Sequence, residues 1–213
     1  MIKVAIVDYG MGNIKSVQRG LEKVGASVNL TGDPEQYIHA DCLVLPGVGA
    51  FENGMDGIKK AGMVEALGEF VQSGKPFLGI CLGMQMLMED SDEHGLHLGL
   101  GYIPGSVKRI PHQNEGSFVR KIPHIGWNNL RCASGGVPWE KSILRSVREK
   151  EFVYFVHSFM AVPVHNKHLL AQCDYEGLKV TAGVQKDNVT GLQFHPEKSG
   201  EAGLAILKEF VNQ

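Results

Sequence analysis

The first half of the chain alternates short apolar runs with segments whose apolar residues recur at helical spacing. The apolar runs lie at residues 2–7, 27–30, 42–45 and 76–80, and turn residues such as glycine and proline follow them. Short runs of this kind predict buried strands. Helical spacing predicts helices at residues 13–24, where Asn13 can serve as the cap, and at 51–60, 63–72, 82–88 and 200–212.

Beyond residue 88 the pattern changes to short β-like runs between segments rich in glycine, proline and polar residues. The runs lie at residues 152–156, 169–173, 178–184 and 189–194, and the polar segments include 89–105, 111–117 and 132–138. Buried strands that alternate with helices are typical of a parallel sheet covered on both faces. We therefore predict a single α/β domain over residues 1–213. It has a doubly wound, mostly parallel open sheet, helices on both faces and a β-rich C-terminal half that mainly extends the same sheet.

The composition argues against several classes of protein. A net charge of −2, with 21% charged residues, gives no reason to expect nucleic acid or an anionic membrane as a partner. The longest apolar stretch, residues 77–88, is shorter than the ~20 residues that cross a bilayer. The first residues lack the layout of a signal peptide, and four scattered cysteines without a C-x-x-C spacing fit free thiols. We therefore expect a cytoplasmic protein.

Cys81 lies between Gly79 and Gly83, where the fourth predicted strand meets the predicted helix 82–88. A nucleophile on a sharp strand-to-helix turn is held in a strained backbone conformation, so the residues two positions away must be small. The start of a helix also favours the thiolate. A buried structural cysteine with packing glycines on either side fits the same five residues, and these residues alone leave both interpretations open.

A cysteine nucleophile needs a base and a group that orients the base. His195 and Glu197 follow the strand-like run 191–194, and an i, i+2 spacing in extended backbone would send both side chains to the same side. Glu197 could then hold one ring nitrogen of His195 while the other nitrogen faces the thiol. Taken alone, this tripeptide with Pro196 also fits an ordinary turn.

Acyl chemistry further requires hydrogen-bond donors for a developing oxyanion. One candidate is the backbone N–H of Leu82, the residue after the nucleophile. The glycine-rich turn Pro46-Gly47-Val48-Gly49 could supply another, since it exposes N–H groups at the end of a strand. The same turn also fits a simple strand-to-helix connection.

Neither a metal nor a cofactor is predicted. His94 with His97, and His165 with His168, lie in polar segments without other ligand-type residues. The remaining cysteines, Cys42, Cys132 and Cys173, are assigned to packing.

Two segments, G-I-C-L-G-M-Q at residues 79–85 and Q-F-H-P-E at 193–197, resemble those of class I (triad) glutamine amidotransferases. Three more segments narrow the resemblance: P-G-V-G-A-F at 46–51, P-H-I-G-W-N at 123–128 and Y-F-V-H-S-F at 154–159. They are similar to the branch whose glutaminase subunit passes ammonia to a separate (β/α)₈-barrel cyclase in histidine biosynthesis. The resemblance extends from the first strand to the C-terminal helix.

The resemblance implies roles for individual residues. Cys81 would attack the side-chain amide of L-glutamine to form a thioester, with His195 as base and acid and Glu197 orienting it. The oxyanion donors would be Leu82, Val48 and Gly49. The substrate contacts would be Gly47, Gln85, Glu93, His157, Ser158 and Phe159. The surface facing the cyclase in a heterodimer would include Asn13, Pro123, Trp127 and Lys198, although Trp127 considered alone fits a core aromatic.

One feature of the loop points to regulation by the partner. Many members of the wider family have two adjacent glycines where this chain has Val48 between Gly47 and Gly49. In the resembled branch the oxyanion donor is held misdirected until the partner carries its ligand, and Val48 resists the peptide orientation that glycine adopts easily. We therefore expect very low glutaminase activity from the isolated chain.

Two alternatives remain open at this stage. A different amidotransferase of the same fold could serve aminodeoxychorismate, anthranilate or pyridoxal phosphate synthesis, although the P-H-I-G-W-N and P-G-V-G segments disfavour it. A non-catalytic binding or stress-response protein could share the cysteine turn. That second alternative does not explain the pairing of His195 with Glu197.

Overall fold

The computed structural model describes residues 1–112 and 119–213, so most of the predicted loop 111–117 lies outside the described residues. Its α-helices are α1 (Ile14–Lys23), α2 (Phe51–Lys60), α3 (Val64–Gln72), α4 (Leu82–Met86) and α5 (Gly200–Val211). The strands before the undescribed residues are β1 (Lys3–Val7), β2 (Ser27–Thr31), β3 (Cys42–Gly47), β4 (Phe77–Cys81), β5 (Met88–Ser91), β6 (His97–Leu98) and β7 (Ile103–Arg109). Those after them are β8 (His124–Asn129), β9 (Arg131–Cys132), β10 (Phe152–His157), β11 (Phe159–Pro163), β12 (Leu169–Tyr175), β13 (Leu178–Lys186) and β14 (Val189–Leu192). Short 3-10 turns lie at Pro34–His39, Trp139–Lys141, Asn166–His168 and Pro196–Lys198.

The main sheet has eight strands in the order β2-β1-β3-β4-β14-β13-β12-β9. The strands from β2 to β14 are parallel to one another, and those from β14 to β9 pair antiparallel. The predicted α/β fold with a largely parallel open sheet is confirmed. Because β3, β4 and β14 are parallel neighbours, their carboxyl ends lie along one edge of the sheet, where ligands bind in open α/β folds.

Alternate residues of the parallel strands pack against helices on opposite faces. On one face, Val4 and Ile6 of β1 join a buried cluster that includes residues of α1 and α5. On the other face, Ala5 and Val7 join a cluster that includes residues of α2 and α3. The near-continuous apolar character of these strands follows from burial on both sides, as the sequence predicts. No helix among the described residues is long and apolar enough to cross a membrane.

The second half of the chain mainly extends the main sheet, as predicted, although three of its described strands do not join it. Four of its strands, β9, β12, β13 and β14, join the main sheet. The strand β10 instead pairs with β8 in a two-stranded sheet, and β11 joins β5, β6 and β7 in a four-stranded sheet. An alternating pattern shows which face of a strand is buried but not which strand it pairs with, so it could not separate these three sheets.

Three local predictions also need correction. Helix α4 ends at Met86 and a strand begins at Met88, although a helix was predicted to residue 88. Residues 82–88 are all buried, so their spacing could not separate a helix from a strand. Asn13 lies at the predicted cap position before α1, but its side chain makes no hydrogen bond to the helix. The first backbone N–H groups of α1 are therefore not capped by this side chain. Cys132 is exposed rather than packed, because it lies on the edge strand β9.

At Gly83 the helix α4 lies directly against the end of β3. A Cβ atom there would overlap the carbonyl oxygen of Leu45, and it would also approach Pro46. Gly79 packs against the other side of this turn, and a Cβ on Gly79 would lie 2.7 Å from the carbonyl oxygen of Gly83. The small residues on both sides of Cys81 are therefore required by backbone packing.

We expect Gly83→Ala to destabilise the fold by at least ~1–3 kcal/mol, because the added methyl group must displace backbone. Gly68→Ala is the matched control: it lies in α3, where a Cβ meets only the Tyr102 hydroxyl at 3.9 Å. The control should stabilise the protein by up to about 1 kcal/mol through helix propensity. Urea unfolding midpoints measure both effects, and equal midpoints for the two variants would contradict this account.

Candidate active site

Cys81 occupies a strained turn between β4 and α4. Its φ is 56° and its ψ is −112°, a conformation that non-glycine residues rarely adopt. The turn places the side chain at the carboxyl edge of the sheet, in the predicted position of a nucleophile. Cys81 Sγ lies 3.8 Å from the Gln193 side-chain amide nitrogen, which donates to it, and 4.0 Å from the Val156 carbonyl oxygen, to which it donates.

His195 and Glu197 form the predicted pair, with His195 Nδ1 2.8 Å from Glu197 Oε1. Both side chains are nearly inaccessible, at 4% and 0% exposure. The predicted reason for their contact is wrong, however. The strand β14 ends at Leu192, and Glu197 lies in the 3-10 turn Pro196–Lys198, which folds the carboxylate back toward the ring. The backbone N–H of His195 donates to the Tyr154 carbonyl oxygen at 2.9 Å, which fixes the start of that turn.

The electrostatics of His195 fit an acid–base group. Burial lowers the pKa of His195, but hydrogen bonds to Cys81 and Glu197, together with their negative charges, raise it to about 9. The ring is therefore protonated at neutral pH and can pair with a thiolate. Its Nε2 atom is buried without a close nitrogen or oxygen partner among the described residues, so that nitrogen is left for the thiol.

The loop after β3 lies beside Cys81. Gly49 has a φ of +99°, which lets the chain turn sharply from the strand into α2. Tyr9 lies beneath the loop and donates its hydroxyl hydrogen to the Pro46 carbonyl oxygen at 2.9 Å. Gly47 is buried against Tyr9 and Leu82, and a Cβ on Gly47 would lie 2.6 Å from the Tyr9 oxygen.

Most of the predicted site residues line one cavity of about 310 Å³ beside the thiol. They are Val48, Gly49, Cys81, Leu82, Gln85, Glu93, His157, Ser158, Phe159 and His195, together with Pro123 and Val156. Gly47 lies behind this wall, and Pro123, which was expected to face a partner, lies on the wall itself. Residues from both halves of the chain therefore meet at a site of suitable size for a small molecule.

Hydrogen bonds within the protein orient two of the predicted substrate contacts, Gln85 and Glu93. Gln85 donates from Nε2 to the Phe159 carbonyl oxygen at 3.2 Å and to Gln193 Oε1 at 3.0 Å. Glu93 accepts a hydrogen bond from the Phe51 backbone N–H at 2.8 Å, at the start of α2. Both side chains are thus fixed in orientation before any ligand binds.

Two of the predicted partner-facing residues, Trp127 and Lys198, lie on either side of Tyr154 at one surface. The Trp127 side chain is 55% exposed and its ring centroid lies 6.1 Å from that of Tyr154. Lys198 is exposed, with Nζ 5.8 Å from the centre of the same ring. Trp127 is therefore not a core residue. Asn13 lies by a small cavity that also touches Val48 and Glu197.

Sequence reasoning missed three buried polar residues that support the site: Tyr9, Gln193 and His124. Gln193 and His124 enter the sequence analysis only as members of longer motifs, and Tyr9 does not enter it. The available signal was a polar residue inside an otherwise apolar run, since buried polar groups almost always have partners. Among the described residues, no group of His, Cys, Asp and Glu side chains could hold a metal ion.

The chain is similar to known proteins over nearly its whole length. A family model described as "Glutamine amidotransferase class-I" matches residues 5–213. Imidazole glycerol phosphate synthase subunit HisH 1 of Legionella pneumophila (strain Lens) is 50% identical over 211 residues, which cover 99% of each chain. Imidazole glycerol phosphate synthase subunit HisH of Geobacter sulfurreducens is 46% identical over 211 residues, which cover 99% of this chain and 98% of the relative.

Solved structures support the fold. The structure of PurLQS from Thermotoga maritima matches 99% of this chain and 98% of its own, with a TM-score of 0.72 and 21% identity. A crystal structure described as a glutamine amidotransferase matches 99% of both chains, with a TM-score of 0.72 and 15% identity. At these identities the likeness concerns the arrangement of helices and strands.

We expect an NMR titration of His195 to give a pKa near 9 in the wild-type chain. In Glu197→Gln the pKa should fall, because the substitution removes a negative charge and weakens the hydrogen bond. The exposed Glu201→Gln on α5 is the control and should leave the titration unchanged. A wild-type pKa near the ordinary 6.5 would contradict the described pairing.

The raised pKa of His195 also predicts how the stability of the protein changes with pH. The folded pKa of His195, about 9, lies above the ordinary value of about 6.5. Its contribution to the free energy of unfolding is therefore complete below about pH 6.5 and is lost as the pH rises through about 9. Glu197→Gln should weaken this alkaline loss, whereas Glu201→Gln should not.

Proposed function

The chain belongs to the class-I glutamine amidotransferase family, and we propose that it is the glutaminase subunit of imidazole glycerol phosphate synthase, in histidine biosynthesis. The single observation that carries the proposal is the buried Cys81, His195 and Glu197 group beside the cavity. Identity of 46–50% to relatives named HisH over 99% of the chain supports the choice within the family.

We also propose that residues 1–213 form one domain, because β4 and β14, from opposite halves of the chain, are paired neighbours.

In the proposed reaction, the Cys81 thiolate attacks the side-chain amide carbon of L-glutamine and a C–S bond forms. Backbone N–H groups of Leu82 and of the loop at Val48 and Gly49 stabilise the oxyanion. The C–N bond then breaks as protonated His195 gives its proton to the leaving nitrogen, which departs as ammonia. Water then attacks the thioester carbon as His195 takes a proton from that water, the C–S bond breaks, and glutamate leaves with the Cys81 thiolate and the protonated His195 restored. Neither a cofactor nor a metal is required by these steps.

The walls of the cavity suit the amino-acid end of the substrate. Glu93 and Gln85 line the cavity and are the proposed contacts for the amino-acid end of glutamine. Backbone groups of residues 157–159 are the proposed contacts for its carboxylate. Gly47 is proposed only to support this wall, because it packs behind it against Tyr9.

The name of the relatives as subunits implies a partner, and we propose a separate (β/α)₈-barrel cyclase that receives the ammonia. Direct transfer is useful because ammonia is mostly protonated in neutral water and is then not a nucleophile. The exposed Trp127 and Lys198 around Tyr154 supply an aromatic and cationic surface for docking, with Asn13 and Pro123 as further contacts. We propose a cytoplasmic location, which the free thiols support.

We expect a glutamine-analogue electrophile to label Cys81 when the cyclase subunit is present, because the thiol lies on the cavity wall. Cys81→Ala should abolish labelling, whereas Cys132→Ala, which removes an exposed thiol, should retain it. Intact-mass spectrometry measures the adduct. Absence of labelling even in the complex would favour a non-catalytic binding protein.

We expect glutamate formation by the isolated chain to be at least ~100-fold slower than in the complex with the cyclase and its nucleotide ligand, the effect of lacking one oxyanion donor. Val48→Gly should raise the activity of the isolated chain, since glycine permits other peptide orientations. Full turnover by the wild-type chain alone would contradict the role of Val48. Complementation of a histidine auxotroph separates this function from other amidotransferases of the same fold.

A further inference from the structure

Two buried histidines, His124 and His157, connect the strand β8 with the wall of the cavity. They lie opposite each other in the antiparallel pair of β8 and β10. His124 Nδ1 is 2.9 Å from His157 Nε2, and the two residues are 2% and 6% exposed. The ring of His124 stacks between those of Phe155 and Tyr175, with centroids at 4.8 and 4.0 Å. Neither the proposed acid–base steps nor the proposed substrate contacts use His124.

The Phe159 carbonyl oxygen, which ends this chain of hydrogen bonds, decides which group donates in each of them. His157 Nδ1 lies 2.8 Å from the Phe159 carbonyl oxygen, which can only accept, so Nδ1 carries a proton. In a neutral ring His157 Nε2 is then an acceptor, and His124 Nδ1 is its donor. His124 Nε2 accepts in turn from the Asn128 side-chain amide at 3.3 Å. Asn128 is anchored through a second N–H to the Asp174 carbonyl oxygen at 2.8 Å.

The arrangement requires both rings to be neutral. Burial lowers the pKa of His124 to about 4. Burial also lowers the pKa of His157, to about 3. The hydrogen bond to the Phe159 carbonyl oxygen raises this pKa, but repulsion by His124 and His195 lowers it further. A proton added to either ring would place two N–H groups against each other or a charge in a buried site. The pair is therefore a fixed hydrogen-bonded unit at neutral pH.

The same unit continues to the nucleophile. The Phe159 carbonyl oxygen that accepts from His157 also accepts from Gln85, which donates to Gln193. Gln193 in turn places its amide nitrogen 3.8 Å from Cys81 Sγ. One network thus runs from β8, through the wall at His157 and Phe159, to the thiol. Networks of this kind hold their members in one orientation when every group has a partner.

We propose that His124 is a positioning residue for substrate binding: by donating to His157 it fixes the Phe159 carbonyl and Gln85, and so shapes the wall that holds glutamine. This inference depends on the proposed glutaminase function of the cavity. His124 does not reach the reacting atoms, because His157 and Phe159 lie between it and the cavity. Its loss affects binding of glutamine more than the bond-breaking steps at Cys81.

The test compares His124→Phe with His124→Asn in the complex with the cyclase, using glutamate formation at varied glutamine concentration. Phenylalanine keeps an aromatic ring for stacking but leaves His157 Nε2 buried without a donor, so we expect KM to rise about ten-fold while kcat stays nearly unchanged. Asparagine can present an amide N–H near the place of Nδ1 and should restore KM. His168→Phe is the control, since His168 is buried but does not line the cavity.

A spectroscopic measurement keeps the test valid if His124→Phe fails to fold. Nitrogen-15 NMR of the wild-type chain should show His124 and His157 neutral at pH 7, each with its proton on Nδ1. A proton on Nε2 of His157 would overturn the inference, as would an unchanged KM in folded His124→Phe. If kcat falls by as much as KM rises, and His124→Asn restores neither, the role of His124 is merely structural. That result would also overturn the inference. Absence of glutamate formation by the wild-type complex would instead refute the proposed function.

Discussion

The close approach of Gly83 to the carbonyl of Leu45 is the contact on which the site depends. It brings α4 against the end of β3, directly after Cys81, whose φ is positive at 56°. Strain of this kind persists only when the surrounding packing determines it fully. Here the packing consists of two parallel strands, β3 and β4, whose ends hold the loop at Gly47 and the thiol side by side.

The parallel order of β3, β4 and β14 then decides which residues can act together. Each strand delivers one component to the same edge: the loop at Val48 and Gly49, the thiol of Cys81, and the pair His195 and Glu197. The components come from distant parts of the chain, so none of them forms a site alone. Their burial strengthens the interaction of His195 with the two negative groups, which explains why its pKa rises despite desolvation.

Around these components, the polar groups of the wall are fixed by one another before a ligand binds. Gln85, Gln193 and the two histidines of β8 and β10 use their hydrogen bonds on neighbouring protein groups. Such a site is preorganised, and little side-chain entropy is lost when glutamine enters. It also joins the wall to a strand, β8, that carries the exposed Trp127, which gives the proposed docking surface a physical connection to the cavity.

The sequence alone determined the alternation of strands and helices and the sharp turn at Cys81, because these follow from local periodicity and backbone sterics. It did not determine that β10 leaves the main sheet, that Cys132 is exposed, or that Glu197 reaches His195 through a 3-10 turn. It also did not reveal the pairing of His124 with His157. The sheet partners of β9 and β10 and the pairing of the two histidines depend on which distant strands lie side by side and in which register, and only the tertiary structure sets that. The 3-10 turn at Glu197 is local, but it begins where the His195 N–H donates to the distant Tyr154 carbonyl oxygen.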